Sequence, residues 1–551
     1  MAANPCCVRA IPYENSDGCK KKSISMCLYV HTGGQGIQND LKQATEEIFS
    51  DYQVEFIDLQ RRPLCKVKRL SSNEKKKDKE LSDLAKIIEE NLNIFENLLN
   101  VTAVQPSYKI IHYNETATPC VTVYVLGKGR LPLGEKKFSD IVRLTGNIPF
   151  DVIEGYYHPS SSFESSVWPL HGGVSIAPKK LPDVEGLPGV GTLGGFLKDD
   201  AGKCYLLSCE HVLHPEGDLQ VSDVIVQPSE QDFEKKYAQV QEEIENENSQ
   251  IAKVKEKLAY VKGEKDKEDN YKRAITKREN KLKTHERDLN DLDNNRPRGI
   301  GMYLLGLQSN ELVTYSGGNS NSNKKIFVDA GIAEMEEEEV NQMKLEKEIE
   351  ENRCNIYGFN HMKKTVLIAP TGEIVKWTEF NTESKKEQLR FMKCGRTTGI
   401  TTDGQIDTPM HLNIGGFKAD TYFGKLTVHP FKVYCRTCVP KKDDDKNIIE
   451  TSCLKEQDCA KCSNKIEKND KVSELWACNC LPLRQKSGSF AKKGDSGSII
   501  FDDQGRAWSV LFGIFETSYD LISLTAPLDV TIQTLENKLG KKLHLWQVDK
   551  I

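Results

Sequence analysis

The sequence has no run of about 18 apolar residues, so nothing in it reads as a membrane-spanning helix. Its start, Met1-Ala2-Ala3-Asn4-Pro5-Cys6-Cys7, lacks the basic stretch followed by an apolar core that marks a secretory leader. It also lacks a large excess of either charge. A net charge of −5 over 551 residues, 28% of them charged, leaves no global field to attract a nucleic acid. These absences predict a cytoplasmic or nuclear chain that is not secreted and has neither a membrane nor a nucleic-acid partner. With no leader, the seventeen cysteines read as reduced thiols or metal ligands rather than disulfides.

What the sequence does contain is Lys493-Gly494-Asp495-Ser496-Gly497-Ser498-Ile499. Glycines on both sides of Asp-Ser allow a tight turn with no Cβ in the way. Such a turn can aim the N–H groups of Gly494 and Ser496 at one point beside the Ser496 hydroxyl, forming an oxyanion hole. A hydroxyl presented this way needs a base and a carboxylate to orient the base. The base is predicted at His211, where Lys203 to Leu213 reads as a strand after the turn at Asp199, Asp200 and Gly202. The carboxylate is predicted at Asp329, at a strand end in Ile326-Phe327-Val328-Asp329-Ala330-Gly331. Asp223 and Asp232 lack that setting and read as turn residues.

The order His211, Asp329, Ser496 resembles the trypsin-like (chymotrypsin-fold) serine peptidases, and within them an intracellular branch similar to the plant Narrow Leaf protein. Lys393-Cys394-Gly395-Arg396-Thr397-Thr398-Gly399, Val226-Gln227-Pro228-Ser229 and the stretch from Pro119 to Glu135 add to that resemblance. It implies two six-stranded barrels, with His211 and Asp329 on the first, Ser496 on the second, and the site in the cleft between them. It also places Phe490 at the base of the substrate pocket and Trp508 to Gly513 along a wall. An aromatic residue at that base argues against a preference for Lys or Arg. Secreted relatives pair the residue equivalent to Asp495 with a freed N-terminal amine. No cleavage site precedes Gly172-Gly173-Val174-Ser175-Ile176, so Asp495 needs another partner or a switch, and the arm described below or the N-terminal domain is a candidate to supply it.

The fold expected is mainly β: a chymotrypsin-like double barrel with an N-terminal α+β domain and a long antiparallel coiled-coil hairpin as an insertion. Residues 1–22 read as a disordered tail, 23–155 as the α+β domain, 165–535 as the peptidase domain and 531–551 as a terminal helix and tail. In 232–293 the apolar positions Val240, Ile244, Ile251, Val254, Leu258, Val261, Ile275, Leu282 and Leu289 follow a/d spacing, broken near Gly263. Two such helices would form an arm of about 40 Å, suited to docking a partner or to self-association. Glu334 to Glu350 reads as a solvated helix. The segment 435–480 holds Cys435, Cys438, Cys453, Cys459, Cys462, Cys478 and Cys480. Cys435, Cys438, Cys459 and Cys462 have the spacing of a structural zinc site, with Cys478 and Cys480 as a competing pair. Disulfides or reduced thiols are the other readings, and no cofactor is expected for catalysis. The pattern Gly189-Val190-Gly191-Thr192-Leu193-Gly194 imitates a dinucleotide loop but leads into a strand and turn, so it is set aside. The function expected is hydrolysis of peptide bonds in a protein or peptide substrate. The other reading is a silent protease-fold scaffold that binds partners through the arm and the Cys-rich segment.

Overall fold

The computed structural model describes residues 6–15, 23–31, 53–58, 78–130, 148–158, 172–179, 190–215, 224–317, 320–341, 373–377, 389–413, 476–485 and 489–545, apart from a few single positions. The chain is mainly β. The first sheet is small and runs β1 (Cys6–Asn15), β2 (Ser23–His31), β3 (Gln53–Asp58), with β2 and β3 parallel. Cys6–Asn15, assigned by sequence to a disordered tail, is therefore a strand paired with β2. The apolar stripe from Leu81 to Leu98 forms α1 (Asp78–Glu90) and α2 (Leu92–Glu96), whose Leu81, Leu84, Ile88 and Phe95 are buried against β4 (Val101–Ile111) and β5 (Asn114–Val125).

The second sheet has eight strands. Its members in chain order are β7 (Ser175–Pro178), β8 (Gly191–Thr192), β9 (Gly195–Asp199), β10 (Cys204–Ser208), β11 (Val224–Gln227), β12 (Arg298–Gly317), β13 (Ser320–Met335) and β21 (Leu543–Leu545). In space they run β21-β9-β10-β13-β12-β11-β7-β8. All five side chains of β10 are buried, as expected of a short apolar run covered on both faces.

The third sheet has ten strands. Besides β4, β5 and β6 (Phe150–His158) it holds β14 (Phe391–Gly395), β15 (Gly399–Ile406), β16 (Met410–Asn413), β17 (Trp476–Gln485), β18 (Ile499–Asp502), β19 (Ala507–Thr517) and β20 (Leu521–Pro527). Six of these, β15-β14-β18-β19-β20-β17, close into a ring through the β15–β17 pairing, while β6 pairs with β19. Closure leaves no free edge inside the ring.

The insertion between the His and Asp strands is an antiparallel pair of helices, α4 (Glu230–Tyr260) and α5 (Lys265–Asn294). Ser229 caps α4 by accepting the Asp232 N–H, and Glu230 and Asp232 in the first turn suit its positive end. Asp232, read from sequence as a turn residue, is therefore helical and buried; the apolar Phe233 beside it draws the first turn inward. Phe233, Val240 and Leu292 pack at the root with Tyr237, Ile244 and Leu289. Further out, polar pairs such as Arg278–Glu247 (2.8 Å) and Lys255–Glu279 (3.3 Å) link the helices. Past β13 only a helical turn at 337–341 lies within the described part of the predicted solvated helix, and its Glu339 is buried against Arg298 (2.9 Å).

Candidate active site

His211 lies in a short helical turn, α3 (Glu210–Leu213), immediately after β10. The strand predicted to run into the histidine stops at Ser208, because Cys209 begins the turn. The turn is buried throughout and fixed against Asp329. The Asp329 carboxylate takes the Glu210 N–H at 2.9 Å through Oδ1 and lies 2.6 Å from His211 Nδ1 through Oδ2. Asp329 is fully buried within β13, six residues short of its end rather than at a strand terminus. The long β12–β13 pairing extends on both sides of it. Its partner across that ladder is Gln308, whose side-chain amide donates to Asp329 Oδ2 at 3.2 Å. Gln308 was not foreseen from the sequence. Its signal was the hairpin register, which places it opposite Asp329. With Nδ1 engaged by the carboxylate, His211 Nε2 is buried and has no hydrogen-bond partner among the described residues.

Ser496 sits on the turn leading into β18. Gly494 has φ +99° and Gly497 φ +100°, the left-handed region that a Cβ disfavours, so the glycines predicted to shape this turn do so. Thr192 holds the turn from the first large sheet: its N–H donates to the Ser496 carbonyl (2.8 Å) and its hydroxyl to the Gly494 carbonyl (2.7 Å). A Cβ on Gly194 would sit 2.2 Å from the Gly497 carbonyl oxygen. The glycines that imitate a nucleotide loop therefore let two backbones approach at the nucleophile turn. Among the described residues, no acceptor takes the N–H of Gly494 or of Ser496. Val212 and the Ser496 carbonyl both lie against Gly191, which brings the His211 turn and the Ser496 turn side by side. No hydrogen bond joins the two side chains. Instead the Ser496 hydroxyl donates to the Phe512 carbonyl at 3.1 Å.

Asp495 is fully buried and surrounded by donors. Lys393 Nζ is 2.9 Å from Oδ2, the Thr398 hydroxyl 2.8 Å from Oδ2, and the Thr397 N–H 2.9 Å from Oδ1. The partner that the sequence required for Asp495 is thus an internal lysine. Burial drives the Lys393 ammonium below its ordinary value, and the Asp495 carboxylate opposes that shift. Phe490 is also fully buried, and its ring centroid is 5.8 Å from Lys393 Nζ, so it supports this ion pair. Trp508, Val510, Leu511 and Phe512 of β19 are buried.

The Cys209 thiol lies within 4.8 Å of the ligand atoms of His211 and Asp329, a grouping that could hold a metal. Burial, and then the Asp329 charge, push that thiol well above its ordinary value, and it donates to the Leu511 carbonyl at 3.1 Å. Both observations favour a hydrogen-bonded thiol over a thiolate ligand. Cys435, Cys438, Cys459 and Cys462 lie outside the described residues. Cys478 and Cys480 are buried free thiols within β17, and burial pushes Cys478 up to about 12.

No family model matches this sequence, and no curated protein matches it. Among solved structures, the Nocardiopsis protease NAPase aligns over 68% of this chain and 98% of its own, at 9% identity and a TM-score of 0.22. Among the described residues, no helix is long and apolar enough to cross a membrane.

Proposed function

We propose that the protein is a serine endopeptidase of the trypsin-like kind, working through His211, Asp329 and Ser496. The observation that carries the reading is the buried His211–Asp329 pair, 2.6 Å apart, with His211 Nε2 unpartnered among the described residues and the glycine-shaped turn of Ser496 lying next to the His211 turn. In this reading Asp329 holds the tautomer with the proton on Nδ1, so Nε2 is the base. Nε2 takes the Ser496 proton as Oγ attacks a peptide carbonyl, and the N–H groups of Gly494 and Ser496 receive the oxyanion. The imidazolium then protonates the leaving amine, and water releases the acyl group by the same path in reverse. The closed ring beneath Ser496 and the sheet beneath His211 and Asp329 are read as two barrels, and the α4–α5 hairpin as a coiled-coil arm that docks a protein partner or a second copy.

One observation favours the scaffold reading: the Ser496 hydroxyl is spent on the Phe512 carbonyl rather than on His211. In the endopeptidase reading a rotation about Ser496 χ1 moves it to Nε2 when substrate binds, since hydrogen bonds of this kind are often long or misaligned without substrate. A fluorophosphonate probe on the full-length protein, with Ser496→Ala alongside, separates the two. Covalent labelling at Ser496, lost in the variant, is the expected result. A folded wild-type protein that stays unlabelled would leave the scaffold.

A further inference from the structure

The root of the helical hairpin is wired to the nucleophile turn. Asp232, in the first turn of α4, and Arg396, just past β14, form a fork-to-fork pair. Arg396 Nε reaches Asp232 Oδ2 at 2.5 Å and Nη2 reaches Oδ1. Both residues are buried, and the Ser175 hydroxyl also donates to the Asp232 carboxylate. Arg396 Nη1 is buried without a partner among the described residues, so this guanidinium depends on Asp232 for its compensation.

The backbone donors of Arg396, Thr397 and Thr398 bear on the nucleophile turn, the first by way of Thr192. The Arg396 N–H donates to Thr192 Oγ1 at 3.1 Å, and that hydroxyl donates to the Gly494 carbonyl. The Thr397 and Thr398 N–H groups donate to Asp495 Oδ1 at 2.9 and 3.2 Å. The segment that cradles Gly494 and Asp495 is thus pinned at one end by Lys393 and at the other by the hairpin's own carboxylate. Asp232 belongs to α4, so this pair is a point at which a force on the hairpin reaches the turn.

We propose that Asp232 and Arg396 are positioning residues for the oxyanion-hole turn, and that they make the hairpin a lever on it. A partner that tilts the root of α4 loosens or tightens the Asp232–Arg396 latch and so sets how well the N–H groups of Gly494 and Ser496 are ordered. This rests on the endopeptidase reading for its catalytic consequence, but not for the coupling itself.

The test uses the full-length protein with three variants: Asp232→Asn, Asp232→Glu and the double variant Asp232→Leu/Arg396→Met. The double variant replaces the buried pair by apolar volume and keeps the fold if an unpaired charge defeats the single one. Hydrogen–deuterium exchange is read on a peptide covering Gly494 to Ser498, with one from β13 as control. The fluorophosphonate labelling rate is read across pH. Exchange at the turn rises and labelling falls, each by about tenfold or more, while the control peptide is unchanged. The pH midpoint of labelling stays in place because the His211–Asp329 pair is untouched, and Asp232→Glu recovers most of the rate. A general loss of structure would raise control exchange as well. Folded variants whose turn exchange and labelling both stay within about twofold of the wild type overturn the proposal, a margin well below the loss of one oxyanion donor. If the wild type never labels but the variants loosen the turn, the coupling stands and the nucleophile assignment is what fails.

Discussion

In the proposed reading, Lys393 is the residue on which the readiness of the site turns. Its side chain and that of Asp495 are fully buried, so removing one partner leaves an uncompensated charge. Lys393→Met is expected to cost about 3–5 kcal/mol of stability, read as a fall in the urea midpoint, and to suppress fluorophosphonate labelling. The pH dependence has a defined sign. Burial holds the folded ammonium below its ordinary 10.5, so the unfolded chain binds more protons between the two values. This group's contribution to stability is therefore lost as pH falls through the folded value and fully present above 10.5. Labelling moves the other way, because deprotonation removes the charge that steadies Asp495. Labelling rates measured on the approach to 10.5 should therefore fall. Ser496, His211 and Asp329 stood out as candidates because a glycine-flanked serine, a turn-flanked histidine and an aspartate in an apolar strand each have a local pattern. Lys393 and Gln308 did not, since a lysine or glutamine in a strand acquires a role only from what the sheet places opposite it.

At the level of elements, the two helices of 31 and 30 residues were readable from their apolar spacing and the break at Gly263. Their attachment was not. The apolar cluster that fixes the hairpin lies at its root, in Phe233, Tyr237, Val240, Ile244, Leu289 and Leu292, while farther out buried Ile251 and Ile275 are joined by cross-helix ion pairs such as Lys255–Glu279 and Arg278–Glu247. Replacing residues 249–276 by a short glycine-rich turn keeps that root and Asp232. The shortened protein should label at a rate within about twofold of the full chain, since distant, unshared sites act independently. It should also lose any partner captured by the outer hairpin. A labelling rate that collapses would move the lever from the root to the tip. The β10 boundary shows the complementary limit: an apolar run carries no mark of where a strand ends, and Cys209 turned out to open the helical turn that carries His211.

For the whole molecule, the decisive fact is how the two large sheets meet. Phe327 of β13 and Phe512 of β19 stack edge to face with centroids 5.0 Å apart, and α6 (Leu528–Leu539) lies against β12 and β13 of one sheet and β19 and β20 of the other. Leu535 of α6 is fully buried. Leu535→Ala should cost about 2–5 kcal/mol and lower the urea midpoints seen by tryptophan fluorescence and by labelling together, since the helix belongs to both sheets. Separate transitions for the two probes would show that the sheets unfold independently. The sequence by itself determined the β-rich character, the two inserted helices and the three candidate residues of the proposed site, because periodicity, turn residues and short motifs are local properties of a chain. Only the tertiary structure decided that β15 and β17 close a ring, that Lys393 answers Asp495, and that Asp232 reaches Arg396 across 164 positions. Such pairings depend on which strands become neighbours, and that is settled by packing the whole core rather than by any segment of it.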